Sequence, residues 1–232
     1  MTVSASVSAV TDFEPAVATV AFVDLAGFSA LTDVYGDESA VRVLCCFEQL
    51  VHEASGGHAP PIKWIGDEAM FGFRDPATAL QMLGHLLPAC RSEPRIPLTR
   101  TGLHHGPVLR RANDLFGSTV NVAARIAARA SPGQMLATRP VADAATEAGI
   151  DVEAMGKIKL RSIAVRVPLY SIALAPASDP AWIDPVCKMH APLEAYRRAP
   201  TGPWFCSERC AHAYRLSPET YGAKASDLAA PR

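Results

Sequence analysis

The chain has 232 residues, 49% of them apolar and 19% charged, with 22 Lys and Arg against 23 Asp and Glu. A net charge of −1 excludes the basic surface that nucleic acid or an anionic membrane demands, so neither partner is expected. So many apolar residues with so little charge exclude wholesale disorder and predict a sizeable core, in one domain of ordinary size followed by a small one.

Residues 1–16, mostly Val, Ser, Ala and Thr with little periodicity, read as a flexible N-terminal arm. A strand then runs from Val17 to Asp24, a tight Ala-Gly-Phe-Ser turn follows, and apolar spacing predicts a helix from Glu38 to His52. The apolar run 16–23 is too short to span a membrane, and no basic residue precedes it as in a secretory signal, so a cytoplasmic protein is expected. In that reducing compartment the six cysteines are thiols or metal ligands, with Cys45, Cys46 and Cys90 placed by apolar helical patterns as small core residues. Pro61 to Phe73 reads as a hairpin turning at Gly66-Asp67, after which Asp75 caps a helix reaching Leu87. Leu98 to His105 is strand-like and stops at Gly106-Pro107, and Gly117 to Ala130 is helical until Ser131-Pro-Gly. A helix near 140–147 and strands around Ile158 and Leu169 complete a unit over 17–174. The order βαββαβ predicts an α+β, ferredoxin-like palm, an antiparallel sheet with helices on one face. Ala175-Pro-Ala-Ser-Asp-Pro-Ala opens a linker, 175–182, before a Cys-rich segment, 183–222, and a tail, 223–232.

Asp24 ends a buried strand and Asp67 tops the neighbouring hairpin, so both carboxylates can converge at one sheet edge. Paired carboxylates suit two Mg²⁺ ions acting on a polyphosphate, and the amides of Gly27, Phe28 and Ser29 can cradle phosphate oxygens. The alternative is an ordinary turn cap and an ordinary hairpin. Asn121 and Arg125, four apart, share a helix face and reach one ligand together, whereas Arg129 reads as a solvated surface residue. His104, His105, Trp64 and Phe71 read as core or turn residues rather than catalytic ones.

Four segments, Phe22-Val-Asp-Leu-Ala-Gly-Phe-Ser, Ile62-Lys-Trp-Ile-Gly-Asp-Glu-Ala-Met, Gly102-Leu-His-His-Gly-Pro-Val and Phe116-Gly-Ser-Thr-Val-Asn-Val-Ala-Ala-Arg-Ile, stand in this order. Together they resemble the class III adenylate/guanylate cyclase catalytic domain. The resemblance implies Asp24 and Asp67 as ligands of two Mg²⁺ or Mn²⁺ ions, and Lys63 and Asp114 as the pair that selects the purine, here adenine. It implies Asn121 as the ribose residue and Arg125 as the transition-state residue. It further implies a head-to-tail homodimer in which the metal carboxylates come from one subunit and the other four residues from its partner. ATP would be cyclised to cyclic AMP with loss of pyrophosphate. Where the family often shows Leu-Lys-Gly, with its Lys on the terminal phosphates, this chain has Leu160-Arg161-Ser162, so that role falls to Arg161. A diguanylate cyclase is excluded, because Trp64-Ile-Gly-Asp-Glu-Ala-Met lacks the Gly-Gly-Asp/Glu-Glu-Phe signature.

Asp184-Pro-Val-Cys-Lys-Met-His, Trp204-Phe-Cys-Ser-Glu-Arg-Cys and Pro218-Glu-Thr-Tyr look like a YHS or TRASH-type metal-binding module. Cys187, Cys206 and Cys210 suit Zn²⁺ or Cu⁺, with His190 as fourth ligand and Asp184 and His212 behind it. Lys188 stands where that module usually has Gly. The alternative is a small interaction domain with reduced thiols. Two functions compete at this point: an adenylate cyclase coupled to a metal- or thiol-sensing module, and a catalytically silent, nucleotide-binding homologue serving as a metal-responsive scaffold.

Overall fold

The structure is a computed structural model and describes residues 13–56, 60–192 and 202–222; residues 1–12 of the expected arm and the tail, 223–232, lie outside them. Strand β1, Glu14–Leu25, begins three residues before the expected start. Val20 to Val23 are all buried, because β1 is covered on both faces, and this is why a continuous apolar run rather than an alternating one encodes it. Helices α1, Phe28–Tyr35, and α2, Asp37–Ala54, follow. The turn expected after Asp24 is thus the start of a two-turn helix.

The expected hairpin is β2, Lys63–Ile65, and β3, Glu68–Phe73, paired antiparallel around Gly66-Asp67. Asp75 caps α3, Pro76–Ser92, by accepting from the Thr78 amide at 2.8 Å, a contact of about 1 kcal/mol. The helix continues past the expected end at Leu87 and through Pro88, since Leu86, Leu87 and Cys90 are buried and hold its last turn in place. Strand β4, Thr99–Arg111, likewise runs on through Gly106-Pro107. On its outer edge Pro107 falls between the residues paired with β6 and those paired with β5, where a missing N–H costs no ladder bond.

Next come β5, Asp114–Phe116, α4, Ser118–Ala127, β6, Met135–Ala137, and α5, Arg139–Glu147. Strands β7, Val152–Lys159, and β8, Arg166–Ile172, close the sheet. Its order is β2-β3-β1-β4-β6-β8-β7, with β5 on β4, and it is antiparallel except between β4 and β6. Short helices α6, Glu208–Leu216, and α7, Pro218–Tyr221, end the described chain.

The α+β palm is as expected, but helices cover both faces of the sheet rather than one. Ala21, Val23 and Leu25 of β1 join the core built with α1, α2 and α3, while Ala18, Val20 and Phe22 pack with Ala123 and Ala127 of α4. The α4 backbone lies against β4 at Gly102, where an added methyl would stand 2.1 Å from the Ala127 amide nitrogen. Cys46 and Cys90 are buried as expected, but Cys45 is exposed on the outer side of α2. Phe71 is core, whereas Trp64 lies on the edge strand with its ring edge-on to Phe47 at 5.5 Å. Among the described residues, no helix is long and apolar enough to cross a membrane.

Gly102→Ala should destabilise the chain by about 3 kcal/mol, because neither backbone can retreat. Gly84→Ala, inside α3 with nothing within 4 Å of the new methyl, should instead stabilise it by roughly 0.5–1 kcal/mol. Urea unfolding of both variants checks the pair.

Candidate active site

Residue pairing across three strands builds the site. Asp24 on β1 lies opposite Glu68 on β3 and opposite Arg100 on β4, so two carboxyls and a guanidinium form one row. Arg100 donates from Nε to Asp24 Oδ2 at 2.8 Å and adds a second, shorter bond from its terminal nitrogen. Asp67, at the hairpin tip beside Glu68, lies close enough to Asp24 for each carboxyl to act on the other's ionisation. The structure therefore brings Asp24 and Asp67 together and adds Glu68 and Arg100, which the sequence reading missed. Glu68 sits beside Asp67 in the hairpin, but Arg100 carries no local signal, since only strand register brings it to Asp24.

Three acids in one partly buried place titrate high. Burial and then the Asp24 charge push the Asp67 carboxyl up to about 6, while burial and then the charges of Asp24 and Asp67 push Glu68 up to about 7. Burial also raises Asp24, against the opposing pull of Arg100. Hard oxygen donors that repel one another fit a divalent cation such as Mg²⁺ or Mn²⁺, whose charge relieves the repulsion.

Gly27 directly follows this edge with φ +73°, a left-handed turn that swings the chain into α1 and leaves the amides at its N-terminus clear of helix bonding. Gly27, Phe28 and Ser29 thus stand next to the carboxylates, as a phosphate cradle requires.

Lys63 and Asp114 are brought together as well. The Lys63 ammonium donates to both Asp114 oxygens, at 2.9 and 2.7 Å, joining β2 to β5 across 51 positions of sequence. Phe116 lies beneath the same ammonium, 5.6 Å from its ring centroid. Asn121 and Arg125 share the outward face of α4, both exposed, and Arg125 is near enough to Glu68 to oppose the rise in its pKa. Arg161 is exposed in the turn between β7 and β8, and Arg129 is exposed as expected. His104 and His105 pair with Thr138 and Thr19 at 2.8 and 2.9 Å, structural contacts as expected.

In the C-terminal segment the thiols of Cys187, Cys206 and Cys210 and the carboxylate of Asp184 lie within 4.8 Å of one another. The expected fourth ligand, His190, is not among them. It pairs with Ile183 in a small bridge that turns its ring toward α3, where Arg91 donates to Nδ1 at 2.8 Å. His212 is exposed on α6 and also stands outside the cluster. Asp184, the fourth member instead, is fully buried and accepts from the amides of Val186 and Cys206, both at 2.8 Å. It ties the two thiol-bearing loops together. Sulfur-rich donors of this kind fit Zn²⁺ or Cu⁺.

The sequence profile of the adenylate and guanylate cyclase catalytic domain matches residues 14–173, and the chain belongs to that family. The pH-sensitive adenylate cyclase MT1302 of Mycobacterium tuberculosis is 34% identical over 161 residues, 66% of this chain and 40% of that protein. An adenylate cyclase of Streptomyces griseus is 34% identical over 111 residues, 46% of this chain and 27% of that protein. The chain thus spans at most 40% of the length of these two relatives. Among solved structures, the adenylyl cyclase CyaB of P. aeruginosa superposes with a TM-score of 0.60 at 18% identity, covering 70% of this chain and 96% of that one. An adenylate cyclase of Trypanosoma brucei gives a TM-score of 0.62 at 20% identity over 69% of this chain and 89% of that one. Both establish the fold.

Asp67 and Glu68 hold protons in the folded chain at pH values where the unfolded chain has lost them, so folding stability should fall as pH rises between roughly 4 and 7. Thermal melts in EDTA should show this fall, and Asp67→Asn with Glu68→Gln should flatten it. Millimolar Mg²⁺ should oppose it by binding the ionised carboxyls.

Proposed function

We propose that this chain is a cytoplasmic adenylate cyclase that converts ATP to 3′,5′-cyclic AMP and pyrophosphate as a head-to-tail homodimer, with a YHS/TRASH-like C-terminal module as its metal-responsive regulator. The observation that carries the reading is the juxtaposition of Asp24 and Asp67 beside the Gly27 loop. The relatives named adenylate cyclases support it, as does the Lys63–Asp114 pair at 2.7 Å.

Asp24 and Asp67 would hold two Mg²⁺ or Mn²⁺ ions. Such ions, when bound, acidify the ribose 3′-hydroxyl and neutralise the triphosphate. The amides of Gly27, Phe28 and Ser29 take phosphate oxygens, and the Arg161 guanidinium takes the terminal ones. In the partner-supplied half, Lys63 donates to a purine ring nitrogen and Asp114 accepts from the exocyclic amine, a complementarity that adenine meets. Their contact with each other holds the two side chains together in the absence of a base. Asn121 holds the ribose, so that its 3′-oxygen faces the α-phosphorus, and Arg125 stabilises charge growing on the α-phosphoryl oxygens. The new O–P bond forms as the bond from the α-phosphorus to the bridging oxygen breaks, and the 3′-hydroxyl proton leaves to solvent.

A second reading, a silent nucleotide-binding scaffold, draws on the grip of Arg100 on Asp24, which competes with a metal for that carboxylate. Cyclic AMP production from ATP with Mg²⁺ or Mn²⁺ separates the two: turnover that disappears in Asp67→Ala supports the cyclase, and ATP binding without product supports the scaffold. Arg125→Ala should lower kcat by about 10²–10³ with little change in KM. Lys63→Ala and Asp114→Ala should each lower kcat/KM for ATP by roughly 10-fold to 100-fold and narrow the preference over GTP, as steady-state kinetics on both nucleotides will register.

A further inference from the structure

Helix α1 is only eight residues long, and the C-terminal segment touches it at both ends. At its C-terminal end the Tyr35 hydroxyl lies 3.3 Å from the Cys206 sulfur and 3.4 Å from the Cys210 sulfur, and bonds to the Ser207 hydroxyl. The three sulfurs form a chain, Cys187 to Cys206 at 3.5 Å and Cys206 to Cys210 at 3.7 Å, with Cys206 open to solvent. At the N-terminal end, Lys188 lies over Gly27: a methyl on Gly27 would stand 2.8 Å from Lys188 Cγ and 3.0 Å from the Val186 carbonyl oxygen. Lys188 also accepts from the Leu98 amide through its carbonyl at 3.1 Å, which anchors the segment beside β4.

Lys188 itself is held in the left-handed region, φ +59°. That conformation costs a residue with a Cβ roughly 1 kcal/mol or more, and glycine little. A lysine there is strained for the turn alone, but it supplies the stem that fills the space over Gly27. Asp184 keeps the oxygens of its carboxylate on the loop amides beside the three thiols, and the Tyr35 hydroxyl stands against the Cys206 and Cys210 sulfurs from the side of α1.

We propose that Cys187, Cys206 and Cys210 hold a thiophilic cation against Tyr35 of α1, and that Lys188 carries its occupancy to the Gly27 loop, so that this cation and the nucleoside triphosphate bind cooperatively. An ion on Cys187 immobilises its neighbour Lys188 over the loop, and an ion beside Tyr35 immobilises the other end of the same helix. The loop amides are then fixed before the phosphates arrive, and the ordering cost of nucleotide binding falls. By reciprocity the nucleotide tightens the ion to the same degree. This inference rests on the reading of Gly27, Phe28 and Ser29 as the phosphate loop.

The test uses the full chain in excess Mg²⁺, with Co²⁺ and Zn²⁺ as the probes and 3′-deoxy-ATP, which cannot cyclise, as the nucleotide. Co²⁺ should give a thiolate-to-cobalt charge-transfer band that Cys206→Ser loses. One equivalent of Zn²⁺ should tighten 3′-deoxy-ATP by about 10-fold in calorimetry, within the usual range of coupling between sites. Tyr35→Phe and Lys188→Gly should keep the cobalt band and reduce that gain to about twofold or less, with Lys188→Gly melting at a higher temperature as the turn strain is relieved. No cobalt band in the wild type, or nucleotide affinity that Zn²⁺ leaves unchanged or weakens, overturns the proposal, as does full coupling in both variants. Failure of 3′-deoxy-ATP to bind in any state overturns the phosphate loop along with it. Coupling without cyclic AMP from ATP leaves the proposal standing and overturns only the cyclase activity.

Discussion

The bond between Arg100 and Asp24 is the interaction around which the site is built. Asp24 ends a strand covered on both faces, and it shares its surroundings with Asp67 and Glu68. Three carboxyls taken from water so close together repel one another and lose hydration, and the guanidinium of Arg100, with a smaller pull from Arg125 on Glu68, offsets only part of that cost. The folded chain responds by keeping protons on Asp67 and Glu68 well above the usual carboxylate range. The same deficit of positive charge is what makes such an edge suited to a divalent cation. The clustering that would suit a cation is therefore the one that opposes folding stability.

Around that edge the fold supplies rigid supports. Pairing of β1 with β3 and β4 sets the register of Glu68, Asp24 and Arg100, and α4 lies tight on Gly102 so that Asn121 and Arg125 project from a fixed helix. The Lys63–Asp114 contact ties the edge strand β2 to β5. The C-terminal segment is equally well seated, since Val186, Cys187 and Cys210 belong to the same apolar cluster as Leu31 and Phe47. It shares the cyclase core and reaches the carboxylate edge through α1, a helix that lies between the thiols and the carboxyls.

Much of this was legible in the chain because it is encoded locally. The apolar run of β1, the Gly66-Asp67 turn and the Asp75 cap each follow from short-range preferences, and the four ordered motifs contain Asp24, Lys63, Asp67, Asn121 and Arg125, with Asp114 two residues before the last of them. Where short-range rules met a tertiary competitor, the competitor won. Pro107 did not end β4, because its outer edge is unpaired there, and Pro88 did not end α3, because the last turn is buried. Cys45 follows an apolar pattern yet faces water, since α2 has one buried side and Cys46 occupies it.

The thiol cluster of the C-terminal segment divides along the same line. Cys206 stands just before the Ser207 cap of α6 and Cys210 in its first turn, a spacing of four that brings their sulfurs to 3.7 Å, and the sequence alone determined that grouping, along with the family and the palm. His190 was expected to join them, but a two-residue bridge turns it toward Arg91, and the side chain that stands beside the thiols is that of Asp184. Arg100 on Asp24, Tyr35 at the thiols and Lys188 over Gly27 were decided only by the tertiary structure. Each is a contact between segments tens of residues or more apart, and no periodicity or spacing encodes a neighbour that strand register and helix docking alone bring into reach.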